Sequence, residues 1–305
     1  MRSKFLGSLI GTAVGDALGA SVEGWYTAAG SQIQAVADRG GLLVYTDDTH
    51  MAIGVAESLI EKKGFDGEHM THTFIRNYDR EPFRGYGPGP PRIFRMIKGG
   101  EAWNTAAEKL YSGGSYGNGS AMRIAPIGVF YHDDPATLKK VAYKSSHITH
   151  AHEWGKQGAA LQAGAIALAT RAELSSPLAS DDFLEGLKGF IDHAIYQQKL
   201  RSIESLIGQW DKAKVILELG NGIEAFNSVP TAIYSFLTHS RSFAEAVLYA
   251  ISLGGDTDTI AAMTGAISGA YLGIEAIPET WKQRLENREY IEELAEKLWL
   301  IKTKG

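Results

Sequence analysis

Glycine recurs every fourth residue near the start of the chain, at Gly7, Gly11, Gly15 and Gly19. On a helix that spacing stacks the four on one face and leaves a smooth ridge. Another backbone can approach such a ridge more closely than ordinary side-chain packing allows. Phe5, Leu6, Leu9, Ile10, Ala13 and Val14 stand among the glycines and supply core contacts. The basic start Met1-Arg2-Ser3-Lys4 followed by an apolar run imitates a signal peptide, but Asp16 breaks that run. The run is also too short and too interrupted to span a membrane. The segment therefore predicts a centrally packed helix of a soluble protein.

Two short clusters, Thr46-Asp47-Asp48-Thr49 and Asp256-Thr257-Asp258-Thr259, carry the chemistry. Carboxylate and hydroxyl oxygens are the ligands that hard divalent cations take. Four carboxylates brought together would repel one another unless cations lay between them, so clusters that meet in the fold imply more than one metal ion. Helix capping is the competing explanation. Met51, Val55, Leu59 and Ile60 follow the first cluster, and Ile260, Met263, Ile267 and Tyr271 follow the second, all at helical spacing. Both clusters thus start helices, where Asp and Thr are favoured caps. A cap needs one oxygen, whereas each cluster offers at least three, and Gly254-Gly255 lets the backbone come close just before the second. Taken together, the pair favours metal.

At 305 residues, with 44% hydrophobic content, the chain can bury a large core. No linker divides it, so residues 1–305 read as one domain. The net charge of −5 provides no basic field for nucleic acid or for an anionic membrane. Any anionic ligand must be held by local devices such as metal ions, backbone N–H groups or helix N-termini. Zero cysteines exclude disulfides, thiolate metal sites and a cysteine nucleophile, and fit a reducing compartment; a cytoplasmic location and a monomer are expected.

The remaining pattern is helical. Ala142 to Ala169 and Phe243 to Leu253 carry Ala-rich apolar stripes, and Trp281, Leu285, Ile291, Leu294 and Leu298 fall on one helical face. Breaks fall at Gly85 to Pro91, Tyr111 to Ser120 and Ser175 to Asp182, with the last break and the polar stretch to Lys214 expected as a peripheral excursion. The expected fold is a compact all-α domain whose loops converge on one cleft.

Two loops are unusually rich in glycine. In the first, Gly113-Gly114-Ser115-Tyr116-Gly117-Asn118-Gly119-Ser120, small residues can turn N–H groups toward an anion while Tyr116 offers a ring for stacking. A pyrophosphate bearing a base would suit it, although either loop could be a surface turn. The second, Gly85 to Pro91, could form a stiff facing wall. His147, His150 and His152, with His69 and His72, invite a zinc reading. The absence of HExxH and cysteine, against an abundance of hard oxygens, argues against it, and His150 is retained as a hydrogen-bonding group for a ligand.

These motifs resemble the ADP-ribosylglycohydrolases. The resemblance rests on GDALGASVEG at 15–24, YTDDTHMA at 45–52, RGYGPG at 84–89, GSYGNGSAMR at 114–123 and ITHAH at 148–152. LGNGIEAFNSVPTAIYSFL at 219–237 and SLGGDTDTIAAMTGAISGAYLG at 252–273 complete it, in family order over nearly the whole chain. It is nearest to the ADP-ribosylhydrolase 3 branch, and so implies hydrolysis of O-linked ADP-ribose, especially on serine, and of poly(ADP-ribose). An all-α orthogonal helical bundle with a dinuclear metal cleft is implied as well. Two Mg²⁺ ions, or Mn²⁺ in their place, would be held by Thr46, Asp47, Asp48, Asp256, Asp258 and Thr259, with Glu23 able to touch a metal. Substrate would contact Asp47, Gly87, Gly113, Gly114, Ser115, Tyr116, Gly117, Asn118, Gly119, His150 and Ile223. Where the branch carries a second aromatic for the adenine, this chain has Leu110 beside Tyr111. Glu23 or Asp258 would take the proton from the attacking water. ADP-ribosyl-arginine or O-acetyl-ADP-ribose hydrolysis, a non-catalytic ADP-ribose reader and a metal-dependent phosphohydrolase are the competing readings.

Overall fold

A computed structural model describes residues 1–24, 30–175, 178–209 and 211–304. Ser176 and Pro177, inside the break expected at 175–182, lie outside the described residues, as does Trp210 in the polar stretch that follows. In chain order the helices are α1 (Arg2–Ala20), α2 (Gly30–Asp38), α3 (Asp47–Lys62), α4 (Gly67–Arg80), α5 (Gly89–Lys98) and α6 (Ala106–Leu110). Next come α7 (Ala125–Phe130), α8 (Pro135–His147), α9 (Glu153–Arg171), α10 (Ser180–Phe190), α11 (Ala194–Leu206) and α12 (Lys212–Leu219). The series ends with α13 (Ala225–Thr238), α14 (Phe243–Ser252), α15 (Thr257–Leu272), α16 (Glu279–Arg284) and α17 (Arg288–Lys304). Among the described residues there is no strand, and β-bridges occur only between Leu43 and Leu285 and between Gly117 and Glu224. The all-α expectation is met. Among the described residues no helix is long and apolar enough to cross a membrane.

The glycine ridge finds its partner in α15. A Cβ on Gly7, Gly11, Gly15 or Gly19 would overlap the carbonyl oxygens of Gly269, Gly265, Ala261 and Thr257 in turn. Residue numbers fall on α15 as they rise on α1, so the two helices run antiparallel with their backbones in contact. The exclusion is mutual, because a Cβ on Gly265 or Gly269 would overlap the Gly11 or Gly7 carbonyl. Two hydroxyls cross the seam: Ser8 Oγ donates to Ala266 O at 3.0 Å and Thr257 Oγ1 to Gly19 O at 2.9 Å. Every residue of α15 from Thr257 to Tyr271 is buried, as expected of a helix surrounded by others. α9, α13 and α14 pack around it, and α17 returns to lie against α1 and α3.

Three expectations are corrected. The Ala142–Ala169 pattern is two helices, α8 and α9, separated by residues 148–152. His152 caps α9 by accepting from Trp154 N, and Ser146 Oγ donates to His150 O at 2.9 Å, so local side chains hold the turn open. The C-terminal face is likewise split into α16 and α17 by Asn287, whose φ of 53° is left-handed, while Leu285 pairs with Leu43. The stretch toward Lys214 is a helical layer rather than an excursion: α10 packs on α9, α11 and α12 pack on α13, and Phe183, Leu187, Tyr196 and Leu200 are buried.

The seam yields a sharp test. Gly11→Ala must push apart two backbones and is expected to cost about 3 kcal/mol or more, since overpacking against a carbonyl has no flexible partner to yield. Gly189→Ala, on α10 with nothing within 4 Å of its Cβ position, is expected to be neutral or to stabilise by up to about 1 kcal/mol. Urea unfolding of both variants checks this, and equal midpoints would refute close α1–α15 packing.

Candidate functional site

The two acidic clusters meet. Glu23, just beyond α1, joins Asp47, Asp48, Asp256, Asp258 and Thr259 in lining one cleft. Carboxylate oxygens of Glu23, Asp256 and Asp258 lie within 4.8 Å of one another. The crossing bond from Thr257 to Gly19 places the start of α15 beside the end of α1. Asn118 Nδ2 donates to Asp256 Oδ2 at 2.5 Å and to Ser228 Oγ at 3.1 Å, orienting that carboxylate without neutralising it.

A further carboxylate, Asp16, holds the first cluster in place. It is fully buried on α1 and accepts from Thr46 N at 3.1 Å, Thr46 Oγ1 at 2.8 Å, Thr49 N at 3.0 Å and Thr49 Oγ1 at 2.6 Å. Both its oxygens are thereby occupied. Thr46 caps α3, and its hydroxyl lies within hydrogen-bond range of both Asp16 and Asp48. In the sequence Asp16 stands out only as an interruption of an apolar run. A lone acid on an otherwise apolar, glycine-ridged helix was the available signal, because such a group must find donors.

Crowding shows in the acidities. Burial, then Asp16, pushes the Asp47 carboxyl up to about 7, and burial, then Asp256, pushes Asp258 up to about 9. Asp48 lies well above the carboxylate range for the same reasons, and Glu23 is raised by burial and by Asp256. Asp48 Oδ1 is buried with no hydrogen-bond partner among the described residues. An orphaned acceptor within an all-oxygen group fits hard divalent cations. The histidines do not converge on a zinc site. His69 bonds Ser58, His147 bonds the Asn104 carbonyl, His150 bonds Thr149 and His152 caps α9.

From the acidic end the cleft, about 300 Å³ in volume, runs between two walls. Gly85, Gly87, Pro88, Gly89 and Pro90 form one. It is held by Tyr86, whose hydroxyl meets His50 Nδ1 at 2.9 Å, and by Arg84, which bridges Glu81 and Glu286 and lies over the Tyr45 ring at 4.5 Å. Ser115, Gly117, Asn118, Gly119, His150 and Ile223 contribute to the other. Asn118 N donates to Ile223 O at 2.9 Å and Ala225 N to Tyr116 O at 3.0 Å, which fastens Ile223 beside the loop. Asn118 N is thus spent on protein. The N–H groups of Ser115, Tyr116 and Gly119 have no acceptor among the described residues, and that of Gly117 meets Ser115 Oγ at 3.2 Å.

Some expected residues stand back from the cleft. Gly113 and Gly114 do not line it; both have φ near +80°, and a Cβ on Gly114 would overlap the backbone of His152, so they form the turn that lets the loop pass α9. Tyr116 is 44% exposed at the edge, its ring within edge-on range of His152 and Trp154 and tilted against Phe226. Leu110 packs into a small apolar cluster with Ile93 and Ala106, while Tyr111 lines the cleft beside Gly89.

Comparison with known proteins identifies the family. The ADP-ribosylglycohydrolase family profile matches residues 1–304. ADP-ribosylhydrolase ARH3 of Homo sapiens is 37% identical, over 97% of this chain and 93% of that protein. ADP-ribosyl-[dinitrogen reductase] glycohydrolase of Rhodospirillum rubrum is 26% identical, over 94% of this chain and 91% of that protein. A solved structure described as an ADP-ribosylglycohydrolase-related protein complex superimposes with a TM-score of 0.76 at 26% identity, covering 99% of this chain and 98% of that one. Fold, site and sequence together place the chain in the ADP-ribosylglycohydrolase family, among the hydrolases.

Proposed function

We propose that the chain, acting as a single domain, hydrolyses O-linked ADP-ribosyl groups and releases ADP-ribose from modified serine, with poly(ADP-ribose) a further substrate. The observation that carries this reading is the convergence of Glu23, Asp47, Asp48, Asp256 and Asp258 at one end of a cleft whose other parts can take a diphosphate. The serine preference is supported by 37% identity to human ARH3 against 26% to the Rhodospirillum enzyme. Thr46, Asp47, Asp48, Asp256, Asp258 and Thr259 would hold two Mg²⁺ ions, with Glu23 adjacent. Such ions, when bound, offset carboxylate charge and polarise ribose hydroxyls and water.

The protein's own groups do the rest. Unspent N–H groups at Ser115, Tyr116 and Gly119 bind diphosphate oxygens, and the exposed Tyr116 ring stacks on the base. Gly87 and Gly85 allow the facing wall to approach the sugar without side chains between. As the anomeric carbon becomes oxocarbenium-like, the surrounding carboxylates stabilise its positive charge. Glu23 takes the proton from water as the bond from the anomeric carbon to the serine oxygen breaks, with Asp258 as the alternative base, and that proton ends on the released serine hydroxyl.

Product analysis tests the reading. Incubation with a serine-ADP-ribosylated peptide is expected to give free ADP-ribose and unmodified peptide with Mg²⁺ and neither with chelator. AMP would indicate phosphohydrolysis, and turnover of arginine-linked or acetyl-ester substrates alone would reassign the linkage. Asp47→Asn and Asp258→Asn are each expected to lose on the order of 100-fold or more in rate through weakened metal binding while remaining folded. Full activity in both would defeat the proposal.

A second test uses pH. In the metal-free fold Asp16, Asp47 and Asp258 sit at about 6, about 7 and about 9, above their ordinary value of 3.8. The folded state therefore holds more protons than the unfolded chain, and this stabilisation, complete below the ordinary value, is lost as pH rises through the folded values. In chelator the melting temperature is expected to fall from about pH 5 to about pH 8, and the increase given by Mg²⁺ to grow over that range, because cations select the deprotonated carboxylates. A chelated midpoint that rises with pH would contradict the crowded-carboxylate geometry.

A further inference from the structure

Arg123 is fully buried beneath the glycine loop and forms no ion pair among the described residues. Its guanidinium lies 4.8 Å from the Phe74 ring centre. One terminal nitrogen donates to Ser145 O at 2.9 Å; the other donates to Gly119 O at 3.2 Å and Thr149 Oγ1 at 2.8 Å. An isolated buried cation is costly, so its hydrogen bonds must serve something that a neutral side chain could not supply.

What it supplies is direction. A guanidinium has donors and no acceptor, so the Thr149 hydroxyl must accept from Arg123. The hydroxyl's own proton then has one partner among the described residues, His150 Nδ1 at 2.8 Å. Nδ1 accordingly accepts, and the neutral ring carries its proton on Nε2. Double protonation is opposed: burial, and next Arg123, push the imidazole down to about 3. Nε2 has no hydrogen-bond partner among the described residues, and it faces the loop so closely that a Cβ on Gly117 or Gly119 would stand 3.4 or 3.0 Å from it. Since Arg123 also holds the Gly119 carbonyl, ring and loop are registered against the same rigid group.

We propose that Arg123, acting through Thr149, is a positioning residue that fixes His150 as an Nε2–H donor aimed into the cleft, for an acceptor oxygen of the bound ligand. That the ligand contains ADP-ribose rests on the functional reading above; the direction of the relay does not. A neutral amide at position 123 could accept as well as donate, and the relay would lose its sense. Arginine leaves it one.

The test reads the tautomer directly. In full-length protein carrying ¹⁵N-histidine, with the His150 signals identified by their loss in His150→Gln, long-range ¹H–¹⁵N correlations are expected to show protonated Nε2 and unprotonated Nδ1. Thr149→Val keeps the shape and removes the hydroxyl; it is expected to abolish the single tautomer and to weaken ADP-ribose binding, measured by calorimetry in Mg²⁺ buffer, by about tenfold. Thr149→Ser is expected to recover both, which a loss of packing alone would not produce. Protonated Nδ1 in the wild-type protein, or unchanged tautomer and affinity in Thr149→Val, would overturn the proposal. Failure of the wild-type protein to bind ADP-ribose would instead remove the functional reading, with the tautomer still deciding the relay.

Discussion

Backbone contact between α1 and α15 is the constraint from which the site follows. Four glycines on one helix meet Gly265, Gly269, Ala261 and the Thr257 carbonyl on the other, and the fit admits no register in which a Cβ stands on the ridge. This fixes how far along α1 the start of α15 lies. Asp256 and Asp258 consequently stand beside Glu23, which follows the last turn of α1. Asp16, one residue after Gly15, projects about 100° away from the seam and reaches the start of α3. One helix thereby positions both halves of the acidic centre, the second by packing and the first by hydrogen bonding.

Asp16 and Asp48 show how similar residues in one centre are given different tasks. Asp16 meets backbone and hydroxyl donors from Thr46 and Thr49 at both oxygens, so its bonding capacity is spent on structure. Asp48 is equally buried, yet its Oδ1 meets no donor among the described residues, and its environment holds it well above the carboxylate range. A saturated carboxylate orders a loop; an unsaturated one asks for a cation.

Much of this was legible in the sequence, and the illegible part has identifiable causes. The ridge is visible because its period of four matches the helix, and both acidic clusters are visible because they exceed what capping needs. The partner of the ridge was less visible, although Gly265 and Gly269 repeat the same spacing, because a smooth face specifies a small neighbour without specifying which one. Ala-rich stripes on α8 and α9 ran together since alanine suits helix interiors everywhere, and the turn that presents His150 depends on side-chain bonds from Ser146 and His152 that periodicity does not encode. Arg123 is, in the sequence, only the last residue of a motif; nothing local tells a surface arginine from one under a loop. Leu110, which stands where the resembling branch has a second aromatic, turns into the α5–α6 contact, and it is Tyr111 beside it that lines the cleft.

The groups that hold the carboxylates in place are chosen to leave their charge intact. Asp256 is held by the amide of Asn118, Asp16 by two threonines, and no lysine or arginine pairs with either among the described residues. A salt bridge would orient a carboxylate more firmly, yet it would also lower the local negative potential and compete with an incoming cation for the same lone pairs. Arg123, the buried cation nearby, spends its donors on the Gly119 and Ser145 carbonyls and the Thr149 hydroxyl instead. Its charge thus acts at a distance, on the side of the cleft where the glycine loop offers its N–H groups. The buried cation thus stands under the glycine loop, while Asp256 keeps its lone pairs free of any cationic side chain among the described residues.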